Sequence, residues 1–291
     1  MCLACEQVTP AVLDALTREV MLAEAEAGLG DASAHRPLSD AERRAQVRFG
    51  EIAALEEDYL EEVTPLLEDL LEVVTGEVAA ALAGVTTAAA LVDALEGLVR
   101  SQPAAVATVA QDVAGAVETA LEATYTGASE TVIREAERQG VRALPAPREA
   151  EVGRFAAVAQ RVAAEPWRRA LTVLETQVAT PGNLATAVLP DDLVPMALSG
   201  LNTDGAVDLA RQASHGAINQ GRFDAAEDIP FESAWATEIR DENTCGPCAD
   251  LDGREFSTLA EVRAAYPGGG GAAVCLGKSR CRGSAVFVFT S

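Results

Sequence analysis

Between Pro103 and Gly140 the apolar residues Val106, Val109, Val113, Val117, Leu121 and Tyr125 recur every three or four positions. That interval marks one face of an α-helix. Pro103 suits the helix start and Gly140 the left-handed residue beyond its end. Unbroken, such a helix exceeds about 50 Å at about 1.5 Å per residue, and its apolar flank needs partners along that length. The chain is therefore expected to be built around long helices packed side by side. Composition points the same way: 49% of residues are hydrophobic but only 4% aromatic, and Ala, Leu and Val dominate. This suits closely packed Ala-rich helices better than a sandwich or barrel.

Further helical patterns flank this one. Thr9-Pro10 opens a helix through Val12, Leu13, Leu16 and Val20 that stops by Gly28 and Gly30. Ser39-Asp-Ala-Glu42 is a capping box for a helix from Asp40 to about Val63. Thr64-Pro65 restarts the register, placing Leu66, Leu67, Leu70, Leu71 and Val74 opposite a solvated acidic face of Glu68, Asp69 and Glu72. Beyond the linker Leu144-Pro-Ala-Pro147, one helix runs through Phe155, Val158 and Val162. Pro166 starts another with Trp167, Leu171, Leu174 and Val178. Residues 179–202 read as loops with a short helix near Val194 to Leu198, and Thr203-Asp204 cap a helix ending at Gly221-Arg222. Three regions are expected: an acidic helical region 1–143, a helical connector 144–202, and a small α+β, cysteine-rich module 203–291. The fold class is mainly α.

The net charge of −23 is unevenly spread, with twelve acidic side chains against one basic in residues 51–100, and three against five in residues 251–291. Phosphate affinity comes from Lys and Arg displacing counterions, so the helical part is expected to repel nucleic acid. Only Lys278, Arg280 and Arg282 could make weak contact with DNA. The longest uncharged run, Val78 to Val92, is too short and too weakly apolar to span a bilayer. Met1-Cys-Leu-Ala-Cys5 has no basic and apolar regions before it that would make a lipoprotein signal. A soluble chain made in a cytosol is expected, where thiols stay reduced and spaced cysteines favour metal.

The cysteines carry the chemistry. Cys245 and Cys248 are followed by Cys275 and Cys281, and two such pairs can converge on a tetrahedral metal if the chain between them folds back. Asp252-Gly253 is a short hairpin signal placing the first pair on a knuckle just before a hairpin. Gly268 to Gly271 supplies the return path and Ala285 to Phe289 a final strand. A structural zinc would add folding energy that so small a core lacks. Free or disulfide-paired cysteines and a catalytic site are the other readings. Cys2 and Cys5 read as bystanders near a terminus.

Cys245-Gly-Pro-Cys248 is also the active-site tetrapeptide of thioredoxin-like oxidoreductases. That chemistry needs a strand delivering the first cysteine to a helix N-terminus. Arg240-Asp-Glu-Asn-Thr244 is not such a strand, and a turn is expected after Cys248. A zinc deaminase would need H-x-E with P-C-x-x-C, and neither half occurs. His35 and His215 read as structural histidines, and the sequence contains no phosphate-binding P-loop, nucleophile elbow or H-E-x-x-H.

One longer pattern stands out: His215, Asn219-Gln-Gly-Arg222, Trp235-Ala-Thr-Glu-Ile-Arg-Asp241, Thr244-Cys-Gly-Pro-Cys248, Leu251-Asp-Gly253 and Arg280-Cys-Arg282. In order and spacing these residues resemble the phage Mu F-like head morphogenesis family over roughly the last 90 residues. The resemblance carries the family-motif positions His215, Asn219, Gly221, Arg222, Trp235, Asp241, Gly253 and Arg282. Family members often close with His-Pro-x-Cys-Arg-Cys, whereas here Gly283 stands at the last cysteine and no histidine precedes Cys281, so Cys275 would replace the missing ligand. The resemblance implies a non-enzymatic virion component inside the capsid near the portal, made in the host cytoplasm. Portal or major capsid protein is the implied partner. The alternative is a thiol–disulfide oxidoreductase or other metalloenzyme using Cys245 and Cys248.

Overall fold

A computed structural model describes residues 49–178, 198–199, 201–238, 244–267, 272–273, 275–276 and 283–290. The expected helix after Thr9, the Ser39 capping box, His35, Cys2, Cys5, most of the Val194 to Leu198 helix and the glycines 268–271 lie outside these residues. What is described is mainly helical, with one small antiparallel sheet near the C-terminus.

Helix α1 (Phe49–Ala81) buries Ile52, Tyr59, Val63, Leu67, Leu70, Val74 and Val78 at intervals of three, four and seven. Glu68, Asp69 and Glu72 are exposed, as the pattern predicts. The predicted restart at Thr64-Pro65 does not occur, and one helix runs straight through Pro65. Both Pro65 and Glu61, whose carbonyl loses its partner, are exposed, so water can satisfy that carbonyl while the buried stripe continues. Helix α2 (Ala88–Arg100) was not expected; its Leu91, Leu95 and Leu98 are buried and Thr87 caps it by accepting from the Ala90 N–H at 3.2 Å.

Helix α3 (Ala104–Arg138) is the long helix the periodicity demands. Val106, Val113, Val117, Leu121 and Tyr125 are buried, and Val109 is half-buried. Gly140, at φ 92°, ends it. The Val141 N–H reaches the Ala136 carbonyl at 3.1 Å and the Gly140 N–H the Glu137 carbonyl at 2.9 Å, a Schellman motif. Helix α4 (Ala156–Val178) again contradicts a predicted break: Pro166 lies inside it, buried in the same stripe as Phe155, Ala159, Val162, Ala170 and Leu174. The continuity of that stripe outweighs one lost backbone bond.

Helix α5 (Asp204–Glu227) was expected to stop at Gly221-Arg222 but continues for five more residues. Gly221 marks a close crossing: a Cβ there would strike the backbone carbonyl of Tyr125 on α3. Thr203 occupies the N-cap position but makes no side-chain capping bond. From Ala213 to Gly221 the helix is buried on nearly every side, because α3 packs along one flank and the sheet on another.

Strand β1 (Phe231–Glu238) was not anticipated. It is followed by helix α6 (Gly246–Leu251), strand β2 (Glu255–Phe256), helix α7 (Leu259–Ala265) and strand β3 (Gly283–Phe289). The sheet order is β2-β1-β3, with both pairings antiparallel and Glu238 opposite Gly283. The expected final strand is present, two residues longer than predicted. The Asp252-Gly253 hairpin is corrected: a helix, not a strand, precedes it. Gly253, at φ 79°, instead turns α6 into β2, with its N–H on the Ala236 carbonyl at 2.8 Å. One core is shared by α1 to α4 and the first half of α5. A second joins the ends of α3 and α5 to the sheet, α6 and α7.

Candidate metal centre

β3 lies at one side of the sheet, so its outer carbonyls and N–H groups need partners other than a strand. Side chains from two helices provide them. On α5, His215 Nε2 lies 2.9 Å from the Gly283 carbonyl and so donates to it, while Asn219 donates to the same oxygen at 3.0 Å. One turn further, Arg222 donates to the Ala285 carbonyl at 3.2 Å. At the C-terminal cap of α3, Gln139 donates to the Phe287 carbonyl and accepts from the Phe289 N–H, both at 2.9 Å. Arg222 is fully buried and forms a two-pronged pair with Glu135, at 2.6 and 2.9 Å, with Thr131 as a further acceptor at 2.9 Å. Nδ1 of His215 faces Glu56 at 4.0 Å.

Cys245 and Cys248 sit at the start and inside of α6, which packs against β1. Cys245 is the N-cap of α6, with proline in the first turn, so a helix follows the pair where a turn was expected. Proline at the helix start explains this, since its fixed φ suits the first helical positions and its missing N–H is unneeded there. Cys245, Cys248 and Cys275 bring their sulfurs within 4.8 Å of one another, close enough to hold a metal ion. The fourth predicted ligand, Cys281, lies outside the described residues, as do Asp241, Lys278, Arg280 and Arg282. The Leu276 N–H donates to Cys245 Sγ at 3.3 Å. Burial, then hydrogen bonding with Cys245 and Cys275, pushes the Cys248 thiol up. A bound metal would reverse that balance for Cys248, because a cation shares the charge of its thiolate.

Near Cys248 lies Glu238, a residue of the Trp235–Asp241 stretch with no pattern of its own in sequence. It is buried, accepts from the Tyr266 hydroxyl at 3.2 Å, and has its carboxyl pushed up to about 7, chiefly by burial. Its carboxylate lies where a Cβ on Gly283 would fall. A cysteine at that position would therefore collide with Glu238, which accounts for the glycine there. Of the other described motif positions, Trp235 is half-buried in β1 with its indole N–H on Ser233 Oγ at 3.1 Å, and Gly253 makes the turn. Glu135 and Gln139 were missed as well. Their signal was legible, because Glu135 and Gln139, four apart, each follow an apolar stripe residue, Val132 and Ala136, by three positions and so fall on the buried face.

These observations define a mainly helical protein whose C-terminal sheet is braced by buried polar side chains and flanked by a three-cysteine cluster. The chain matches no protein-family model, no curated protein and no solved structure. Among the described residues no helix is long and apolar enough to cross a membrane.

Proposed function

We propose that the chain is a minor structural protein of a tailed-phage head, lying inside the capsid near the portal and acting in head assembly or DNA delivery. The observation that carries this reading is the use made of the motif. His215, Asn219, Gly221, Arg222, Trp235 and Gly253 all build or brace the C-terminal fold. Residues held for the sake of a scaffold fit an assembly component better than an enzyme. The acidic face of α1, with Glu57, Asp58, Glu61, Glu62, Glu68, Asp69 and Glu72 exposed, suits contact with portal or capsid protein and disfavours DNA. The protein should copurify with proheads or virions and be retained by its portal protein at moderate salt. Absence from both particles, or tight binding of the full chain to duplex DNA at physiological salt, contradicts the reading.

The cluster is proposed to hold structural zinc through Cys245, Cys248 and Cys275, with Cys281 as fourth ligand. Three converging thiols and the N–H on Cys245 support it. Reduced protein should carry about one zinc per chain, as a closed thiolate site does, and elemental analysis finding only traces of metal refutes it.

One observation favours a second reading, a thiol–disulfide oxidoreductase: Cys245 does stand at a helix N-terminus. The helix is only six residues long and a third sulfur, that of Cys275, converges on the pair, so insulin disulfides should not be turned over. Turnover that disappears in Cys245→Ser would establish the second reading.

A further inference from the structure

Access from solvent divides the three clustered thiols. Cys245 and Cys275 are half-buried, whereas Cys248 is fully enclosed. Their sulfurs nevertheless lie within 4.8 Å of one another, so a half-buried one that is oxidised has a protected neighbour in reach. Position in the chain selects which two can join. Cys245 is the N-cap of α6 and Cys248 follows in its first turn, where the Ala249 N–H closes back onto the Cys245 carbonyl at 3.0 Å. Residues three apart on a helix have Cα atoms about 5 Å apart, inside the span of about 4.4–6.8 Å that a disulfide needs. That join requires no other element to move. Cys275 belongs to a separate segment, held by its own N–H on the Ala272 carbonyl at 2.8 Å and by the Leu276 N–H on Cys245 Sγ at 3.3 Å.

Building on the metal reading above, we infer that Cys245 and Cys248 form a site of reversible oxidation, at which a peroxide converts two metal-holding thiolates into a disulfide and expels the ion. The Cys245 sulfur attacks one peroxide oxygen and the O–O bond breaks, leaving a sulfenic acid and, once a proton is taken up, a water molecule. The Cys248 sulfur then attacks the Cys245 sulfur, the S–O bond breaks, and the hydroxyl leaves with a second proton as water. Two electrons pass from the sulfurs to the peroxide, and one S–S bond is formed. A disulfide sulfur has no negative charge to share with a cation, so the centre loses two ligands at once and keeps only Cys275 of the three. The new bond staples the first turn of α6, while the segment around Cys275 loses the ion that anchored it.

The test treats the full reduced, zinc-loaded chain with hydrogen peroxide, reading released zinc with a chromophoric indicator and the pairing by peptide mass. Trypsin leaves Cys245 and Cys248 together in residues 241–254, Cys275 in 264–278 and Cys281 in 281–282. About one zinc should leave for each disulfide formed, the 241–254 peptide should become lighter by two hydrogens with no other peptide attached, and dithiothreitol followed by zinc should restore the starting state. Cys275→Ser, which lacks the third sulfur, should form the same bond within 241–254. A bond from either cysteine to Cys275 or Cys281, zinc retained by chains that carry the Cys245–Cys248 bond, or zinc lost with no disulfide formed would each overturn the inference. Wild type that takes up no zinc overturns the metal reading itself. In that protein the 241–254 mass alone decides the oxidation site, supporting it if two hydrogens are lost and overturning it if they are not.

Discussion

Arg222 and Glu135 show what a buried charge demands of its neighbours. Each is sequestered from water, and the two-pronged contact with Glu135, together with Thr131 and the Ala285 carbonyl, gives both terminal guanidinium nitrogens partners where solvent cannot, while the buried Nε has none among the described residues. Removing one partner strands the other charge in the core. Arg222→Leu should therefore lose about 3–5 kcal/mol in urea denaturation, whereas Arg222→Leu with Glu135→Leu should lose much less than the two single changes added together. Strict additivity would show that the pair is not coupled. The arginine could not be assigned this role from sequence, because its partner lies 87 residues away on another helix.

Element boundaries turn on where backbone groups face. Pro65 and Pro166 were both read as helix starts, yet each lies inside one continuous helix. Their cost remains in principle: a proline in an exposed helix interior removes a hydrogen bond and crowds the preceding turn. Pro65→Ala should accordingly raise thermal stability, by about 1–3 kcal/mol after allowing for the freer unfolded chain. A lowered melting temperature would mean that the proline sets a bend the packing needs. Gly221 was misread in a similar way. Glycine reads as a stop in sequence, but here the absent side chain lets α3 and α5 cross in contact. Gly140, by contrast, was read correctly, because its positive φ serves a local Schellman closure.

At the scale of the molecule, pH acts through the Glu238 carboxyl. Its value is raised from the ordinary 4.5 to about 7, first by burial and then by Asp252 and Cys245, against the lowering effect of Tyr266. Between those values the folded protein binds a proton that the unfolded chain releases, so stability falls as pH rises through this window. Metal-free protein should thus be more stable near pH 5 than near pH 7.5, by on the order of 2 kcal/mol from this group. Glu238→Gln should flatten that part of the curve relative to wild type. An identical pH dependence in both proteins would remove Glu238 as the cause. Bound metal should oppose the trend, because a cation stabilises the ionised carboxylate and the thiolates together.

Sequence alone determined what depends on neighbours within a few positions. The period of Val106 to Tyr125 specified α3, the alternation of solvated and apolar positions gave the exposed acidic face of α1, and the spacing of Cys245, Cys248 and Cys275 foretold their convergence. Tertiary structure decided the rest. Strand β1 was hidden because its Trp235, Ala236 and Thr237 carry little pattern of their own, and its partners are a two-residue strand and one about fifty residues later. The side chains bracing β3 come from two helices distant in sequence, and Glu238 acquires its place only when Gly283, Tyr266 and Cys248 are folded around it. Hydrogen bonds and charge pairs are satisfied across space, whereas periodicity and capping are satisfied along the chain, and only the second kind can be read before the chain folds.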